Sequence, residues 1–260
     1  MTFHHITHHV AVGDVTGSCH QLHPDAASSY MVDCGLYQGA EAWSSGKAGQ
    51  NCLEIEFPLE TLRAFIATCD HTNYVGRVPL LLAPGFRGPI VCSEFSAKLL
   101  PIVLEGTFKL CACRDQKQVK RYIKLIEQHI IALPRNSWFT LQALPGPALP
   151  HSPSACLPYS RFGLCRNRPD LSRHGINKRM VFFGDLGAPH TPLLLSPEPS
   201  ERVDILVLEI IYGGHLQGDR HTRRQRLEAV TSRPMADHGT VLIPAFSIGR
   251  TKSCSTSLKT

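Results

Sequence analysis

The sequence predicts an α/β layered domain. Short apolar runs alternate along the chain with amphipathic helical stretches, the pattern of a sheet covered by helices. With 260 residues and 43% hydrophobic content, there is enough for one large core, or for one domain plus part of another. A third observation places a site on that frame. The apolar run at 62–67 stops in a cluster of metal-capable side chains, Cys69, Asp70 and His71.

The elements follow in order. Residues 6–12, 29–32, 62–67 and 89–92 read as short buried strands. Ser93 is placed to cap a helix running to residue 105, with Phe95, Leu99, Ile102 and Val103 on one side. Asp115 is placed to cap a second. Its Val119, Ile123, Ile126, Ile130 and Leu133 keep the 3.6-residue period, while Lys117, Lys120, Arg121, Lys124 and Glu127 lie off that stripe. Residues 180–183 and 205–208 are further strands. Between them, residues 134–178 are rich in Pro, Ser and Arg and show no clear period.

Composition narrows the setting. Charged residues make up 18%, below the globular norm of about 25%. Ten cysteines show no framework spacing, and the first residues lack a basic start and an apolar signal core. Reduced thiols and a cytoplasmic location are the expectation. No apolar run reaches the roughly 18 residues of a membrane span. The formal net charge is +6. That excess suits a polyanionic partner. Arg220, Arg223, Arg224 and Arg226 fall in one expected helix, and residues 161–179 form a second basic region. On charge alone, a solvated face is the favoured reading of both. His4, His5, His8 and His9 lie around an expected edge strand. Cys111 and Cys113 have no matching second pair and read as free thiols rather than a zinc knuckle.

The stretch ATCDHTNYVGR at 67–77 resembles the T-H-x-H-x-D-H-x-G-R loop of the metallo-β-lactamase superfamily. Thr68, His71, Gly76 and Arg77 match it. Cys69, Asn73 and Tyr74 stand at the other ligand positions. VTGSCH at 15–20 and VDCGLYQG at 32–39 resemble the opening strands of the β-CASP branch, the superfamily's RNA-processing nucleases. GFRGPI at 85–90, FGDLG at 183–187, LEIIYG at 208–213 and GTVLIPAFSIGRT at 239–251 follow in the family's order. The resemblance implies an αββα sandwich over residues 1–209 and the start of a β-CASP insert over 210–260.

It also implies a ligand set. Family members hold two zinc ions, which make a nucleophile from water near neutral pH and clamp phosphate oxygens. By position, the first ion would use Cys69, His71, His151 and the bridging Asp185, a chemically competent set. His151 takes its place only with one deletion in the alignment; without it, Pro150 falls there. The second ion would need Asn73, Tyr74, Asp185 and a further histidine. Asn is a poor substitute for a carboxylate, and Tyr must lose a proton with a pKa near ~10. The expectation is at most one zinc, with the second site lost. Glu209 is implied to support the catalytic centre; a plain helix or turn cap is an equal reading. Arg220, Arg223, Arg224 and Arg250 are implied to meet RNA phosphate.

Zinc-dependent RNA cleavage is therefore implied by ancestry, in a degenerate and C-terminally truncated member whose own hydrolysis is weak or absent. A noncatalytic RNA- or protein-binding pseudoenzyme, or a nonfunctional product, stays open beside it.

Overall fold

The computed structural model describes residues 5–10, 12, 16–37, 55, 57–111, 115–134, 138–140, 154–156, 161–165, 179–185, 203–210, 213–214, 222–236 and 238–243. The chain divides into two compact units. One is Met1–Gly187 with Glu198–Glu209, and the other is Ala188–Pro197 with Ile210–Thr260.

The first unit is a mixed α/β sandwich. Its first sheet has the order β1-β2-β3-β4-β5-β6, made by β1 (His5–Val10), β2 (Cys19–His23), β3 (Ser29–Val32), β4 (Leu62–Ile66), β5 (Ile90–Ser93) and β6 (Ile130–Leu133). The first three strands pair antiparallel, and β3 through β6 run parallel. The second sheet has the order β11-β10-β9-β8-β7. Its strands are β7 (Trp138–Thr140), β8 (Ser154–Cys156), β9 (Arg161–Cys165), β10 (Arg179–Phe183) and β11 (Ile205–Val207). Only β10 and β11 are parallel in it.

Period-two alternation splits the first sheet between two cores. Leu22, Tyr30, Val32, Ala64, Ile66 and Val91 face the second sheet, where they meet Met180 and Phe182. Met31, Phe65, Ile90 and Cys92 face the other way. There they pack with helices α2 (Val78–Leu82), α3 (Glu94–Cys111) and α4 (Gln116–His129), through Leu81, Leu100, Leu104, Phe108, Val119 and Ile126. With both faces covered, the parallel strands are mostly apolar. Each fully buried Leu, Ile or Phe contributes about 1.5–3 kcal/mol over leaving it exposed.

Several expectations from sequence need correction. Helix α3 runs to Cys111 rather than 105, and its buried side carries Ser96, Leu100, Leu104, Thr107 and Phe108. Phe95 and Ile102 are 68% and 63% exposed. The apolar residues of this helix form two overlapping stripes, and the packed one is a residue further along. Helix α4 does start at Asp115, whose carboxylate accepts from the Lys117 N–H at 2.9 Å. It stops at His129, where Ile130 turns extended and begins β6. The second sheet puts β7, β8 and β9 inside the stretch 134–178 that shows no period. β7 and β8, of three residues each, are too short to display one. A short helix, α1 (Thr72–Val75), also interrupts what reads as a loop. Among the described residues, no helix is long and apolar enough to cross a membrane.

In the second unit, the described residues include helix α5 (Arg223–Ala236) and the segment 238–243. Arg224 and Arg226 are exposed on α5. Thr231 is turned back on the helix, its hydroxyl donating to the Leu227 carbonyl at 2.9 Å.

Candidate metal centre

The site grows from strand ends. β3 and β4 run parallel, so both chains leave the sheet at the same edge, where α/β proteins place ligands. Asp33 follows β3, with φ of 60°, in the left-handed region. A non-glycine residue there is held by its surroundings. Its N–H donates to the Ile66 carbonyl at 2.9 Å. Its carboxylate accepts from the Thr68 N–H at 2.9 Å and from the Thr68 hydroxyl at 2.7 Å. Asp33 therefore fixes the residue just before Cys69. Burial pushes its pKa up to about 8, against the pull of those two hydrogen bonds.

The loop is then stitched to its neighbours by backbone. Ser18 N–H donates to the Asn73 carbonyl (3.0 Å), Cys34 N–H to Tyr74 (2.6 Å), Leu36 N–H to Thr72 (3.0 Å) and Arg77 N–H to Cys34 (2.9 Å). Gly35 makes that approach possible. A Cβ there would lie 1.7 Å from the Asn73 carbonyl oxygen. Arg77 is buried beneath the loop, donates from Nε to the Gly35 carbonyl at 2.9 Å, and lies 5.5 Å from the Tyr37 ring centroid. The Gly-Arg pair that follows the loop thus anchors it.

Asp185 arrives from β10 and meets this loop. His71 Nδ1–H donates to Asp185 Oδ2 at 2.5 Å, and the Tyr74 hydroxyl donates to Oδ1 at 2.8 Å. Cys69 Sγ lies 4.0 Å from Oδ2. Cys69, His71 and Asp185 each offer a ligand atom, all within 4.8 Å of one another; among the described residues this is the one such group of three. The electrostatics are those of an ion pair. Asp185 first, and then Cys69, raise the His71 imidazole well above its ordinary value. Burial alone would raise Asp185, but the hydrogen bonds from His71 and Tyr74 outweigh it and hold its carboxyl below the usual value. Burial pushes the Cys69 thiol up, against the pull of His71. Burial, and then the charge of Asp185, drive the Tyr74 hydroxyl far above its ordinary value, so it stays protonated.

Sulfur, nitrogen and carboxylate oxygen are all competent zinc donors, so these three residues would suit one zinc ion that takes the place of the His71–Asp185 hydrogen bond. Beside them the Tyr74 hydroxyl donates to the other oxygen of Asp185.

The remaining expected site residues are placed as follows. Glu209 lies two residues beyond β11, which runs parallel to β10, so Glu209 and Asp185 leave that sheet at the same end. His151, Arg220 and Arg250 lie outside the described residues. Arg223 begins α5, with Arg224 and Arg226 exposed along it. Sequence reasoning missed the part Tyr74 plays. It stands at a family ligand position, but its bond to Asp185 depends on a strand more than a hundred residues away.

No family model matches the chain. Ribonuclease TTHA0252 of Thermus thermophilus is 28% identical over 246 residues, covering 92% of this chain and 51% of that protein. Transcription termination factor FttA of Cenarchaeum symbiosum is 26% identical over 251 residues, covering 92% of this chain and 36% of that protein. The chain thus spans about half the length of the first and about a third of the second. A solved metallo-β-lactamase from Cronobacter sakazakii covers 95% of this chain and 89% of its own at 13% identity, with a TM-score of 0.39, a likeness too low to bear on function. With six motifs in family order, the metal-loop frame set on strand ends, and relatives aligned over more than nine-tenths of its length, the chain is similar to the β-CASP ribonucleases of the metallo-β-lactamase superfamily.

Proposed function

We propose that this chain is an RNA-binding β-CASP member built around a single zinc site, with RNA hydrolysis weak or absent. The observation that carries the reading is the Tyr74 hydroxyl on Asp185 Oδ1 at 2.8 Å. By the family resemblance, Asp185 bridges two metals. Here one of its oxygens accepts a hydrogen bond from a side chain that burial keeps protonated. A hydroxyl in that state orients the carboxylate and does not ligate a second cation. Cys69, His71 and Asp185 would hold the first ion. Zinc so held would supply a polarised water near neutral pH.

The rest belongs to the chain's own residues. Tyr74 keeps its proton at the hydroxyl and points Asp185 at Cys69 and His71. Asp33 fixes Thr68, and through it the start of the loop. Glu209 supports the site from the end of β11. Arg220, Arg223, Arg224 and Arg250 meet phosphate, in a segment (210–260) read as the start of the β-CASP insert. The names of the relatives, a ribonuclease and a transcription termination factor, support RNA as the partner.

The test measures zinc by atomic emission after dialysis against zinc buffer, alongside binding and turnover of a labelled single-stranded RNA. The expected result is one zinc or less per chain, lost in His71→Ala, with RNA bound but turned over slowly or not at all. Two tightly held zinc ions, or brisk RNA turnover abolished by Asp185→Asn, would overturn the reading.

A further inference from the structure

The edge hairpin holds a second group of metal-capable side chains. β1 and β2 pair antiparallel, and the register sets His5 opposite His23 and His8 opposite His20. These two histidine pairs differ in geometry. The His5 and His23 rings stack at 4.2 Å, only 8° from parallel. Imidazole lone pairs lie in the ring plane, so stacked rings cannot aim two of them at one point. The His8 and His20 rings meet edge-on, at 80°, with their Nδ1 atoms 2.8 Å apart. His9 is engaged elsewhere, with Nε2 2.7 Å from Gln21 Oε1 and its ring stacked on Phe57.

We propose that His8 and His20 chelate a divalent transition-metal ion that prefers square-planar or tetragonal coordination, of the Cu2+ or Ni2+ kind. The spacing decides the class. Metal–imidazole bonds are about 2.0–2.1 Å. Two nitrogens 2.8 Å apart then subtend roughly a right angle at the ion. A tetrahedral angle needs about 3.3 Å at that bond length. The pair therefore suits Cu2+ or Ni2+ better than Zn2+, in contrast to the thiol-containing set around Cys69.

A further contact prepares the donor. Ser18 Oγ lies 3.2 Å from His20 Nε2. With that hydroxyl accepting the Nε2 proton, His20 presents the lone pair of Nδ1 to His8. Ligand histidines commonly have their other nitrogen held in this way. His8 is exposed, so its own Nδ1 proton can move through solvent to Nε2, leaving both Nδ1 atoms free for the ion without net proton loss. Waters complete the coordination. The ion ties edge strand β1 to β2.

The probe is Cu2+, followed by electron paramagnetic resonance in the His71→Ala protein, which disables the Cys69 set. The expected spectrum shows nitrogen hyperfine structure from two imidazoles at one equivalent of copper. His8→Gln, at an exposed position, should fold as the parent does by circular dichroism and lose at least tenfold in copper affinity. His5→Gln should keep it, and Zn2+ should compete at least tenfold more weakly than Ni2+. Unchanged copper binding in His8→Gln, or equal loss in His5→Gln, would overturn the site and leave unselective binding by surface histidines.

Discussion

The loop at 68–77 and helix α5 both carry residues implied in function, and they are anchored in opposite ways. The loop is held by backbone bonds from Ser18, Cys34, Leu36 and Arg77, by a buried carboxylate at Asp33 and by a glycine with no room for a Cβ. Its candidate ligand atoms are brought within 4.8 Å of one another by parts of the chain far apart in sequence. On α5, Arg224 and Arg226 are exposed, and long flexible side chains can find phosphate without fixed geometry. Metal coordination requires the first kind of construction, and electrostatic attachment to a polyanion tolerates the second. Single substitutions should therefore be severe in the loop and mild on the helix.

The largest effect is expected at Gly35. In Gly35→Ala the new methyl would overlap the Asn73 carbonyl oxygen, so the segment that follows β3 must part from α1. Overpacking of this kind costs about 1–3 kcal/mol, and backbone is less able to yield than side chain. Urea unfolding should show a loss at the upper end of that range, and zinc should be lost with it. An unchanged midpoint would mean that the loop's docking contributes little.

Next come the residues around Asp185. Tyr74→Phe removes the donor that orients the carboxylate, and changes to such supporting groups typically weaken metal binding by about 10–100-fold. Zinc titration against a chromophoric chelator would measure it. Asp185→Asn removes a ligand and should abolish stoichiometric zinc. Should Tyr74→Phe instead raise the content to two zinc ions, the hydroxyl would be blocking a second site that is otherwise intact.

Asp33 offers a pH test of the same anchoring. Its pKa is pushed up to about 8 in the fold, from 3.8. Between those values the folded chain binds a proton that the unfolded chain does not. Its contribution to stability is therefore greatest at low pH and falls as pH rises from about 4 to about 8, by at most about 1.4 kcal/mol per pH unit. His20 works in the other direction. Burial, then His8 and His9, lower it to about 4 from 6.5, so its contribution is full above 6.5 and falls as pH drops towards 4. The two slopes oppose each other at acid pH, and Asp33 acts without that opposition above 6.5. Wild type should lose stability steadily relative to Asp33→Asn from pH 6.5 to 8. A difference flat across that interval would mean that Asp33 is already ionised in the fold.

What the sequence disclosed follows the same division between local and distant. The strand ending at Ile66, the Asp115 cap and the spacing of Cys69 and His71 are local, and each is legible in a few residues. Asp185 could be placed beside them through the family motif order. Periodicity misled where two readings shared residues. Ile130 and Leu133 fit the helical stripe of α4, yet pair as β6 with β5, and only that pairing decides. On α3, neighbouring leucines at 99 and 100 made either stripe plausible, and packing chose the one with Leu100 and Leu104. The His8–His20 pair could not be seen in advance, because it arises from strand register between residues twelve apart.

The smallest effect on the fold is expected on α5. Arg224→Ala with Arg226→Ala removes two exposed charges from a helix interior, and alanine is the better helix former. Stability should change by less than about 0.5 kcal/mol. RNA affinity should change measurably in the same protein. Each phosphate contact to a single strand contributes about −0.7 to the slope of log K against log salt. Losing two contacts should flatten that slope by up to about 1.4 and weaken binding at low salt for any RNA sequence. Aromatic residues are 7% of the chain, and none of the residues from 222 to 236 is aromatic, so base stacking on this helix adds nothing that the double variant would retain. Titrating a labelled single-stranded RNA at several salt concentrations gives both slopes. A slope unchanged in the double variant would move the phosphate contacts off α5 and leave its arginines as a solvated face.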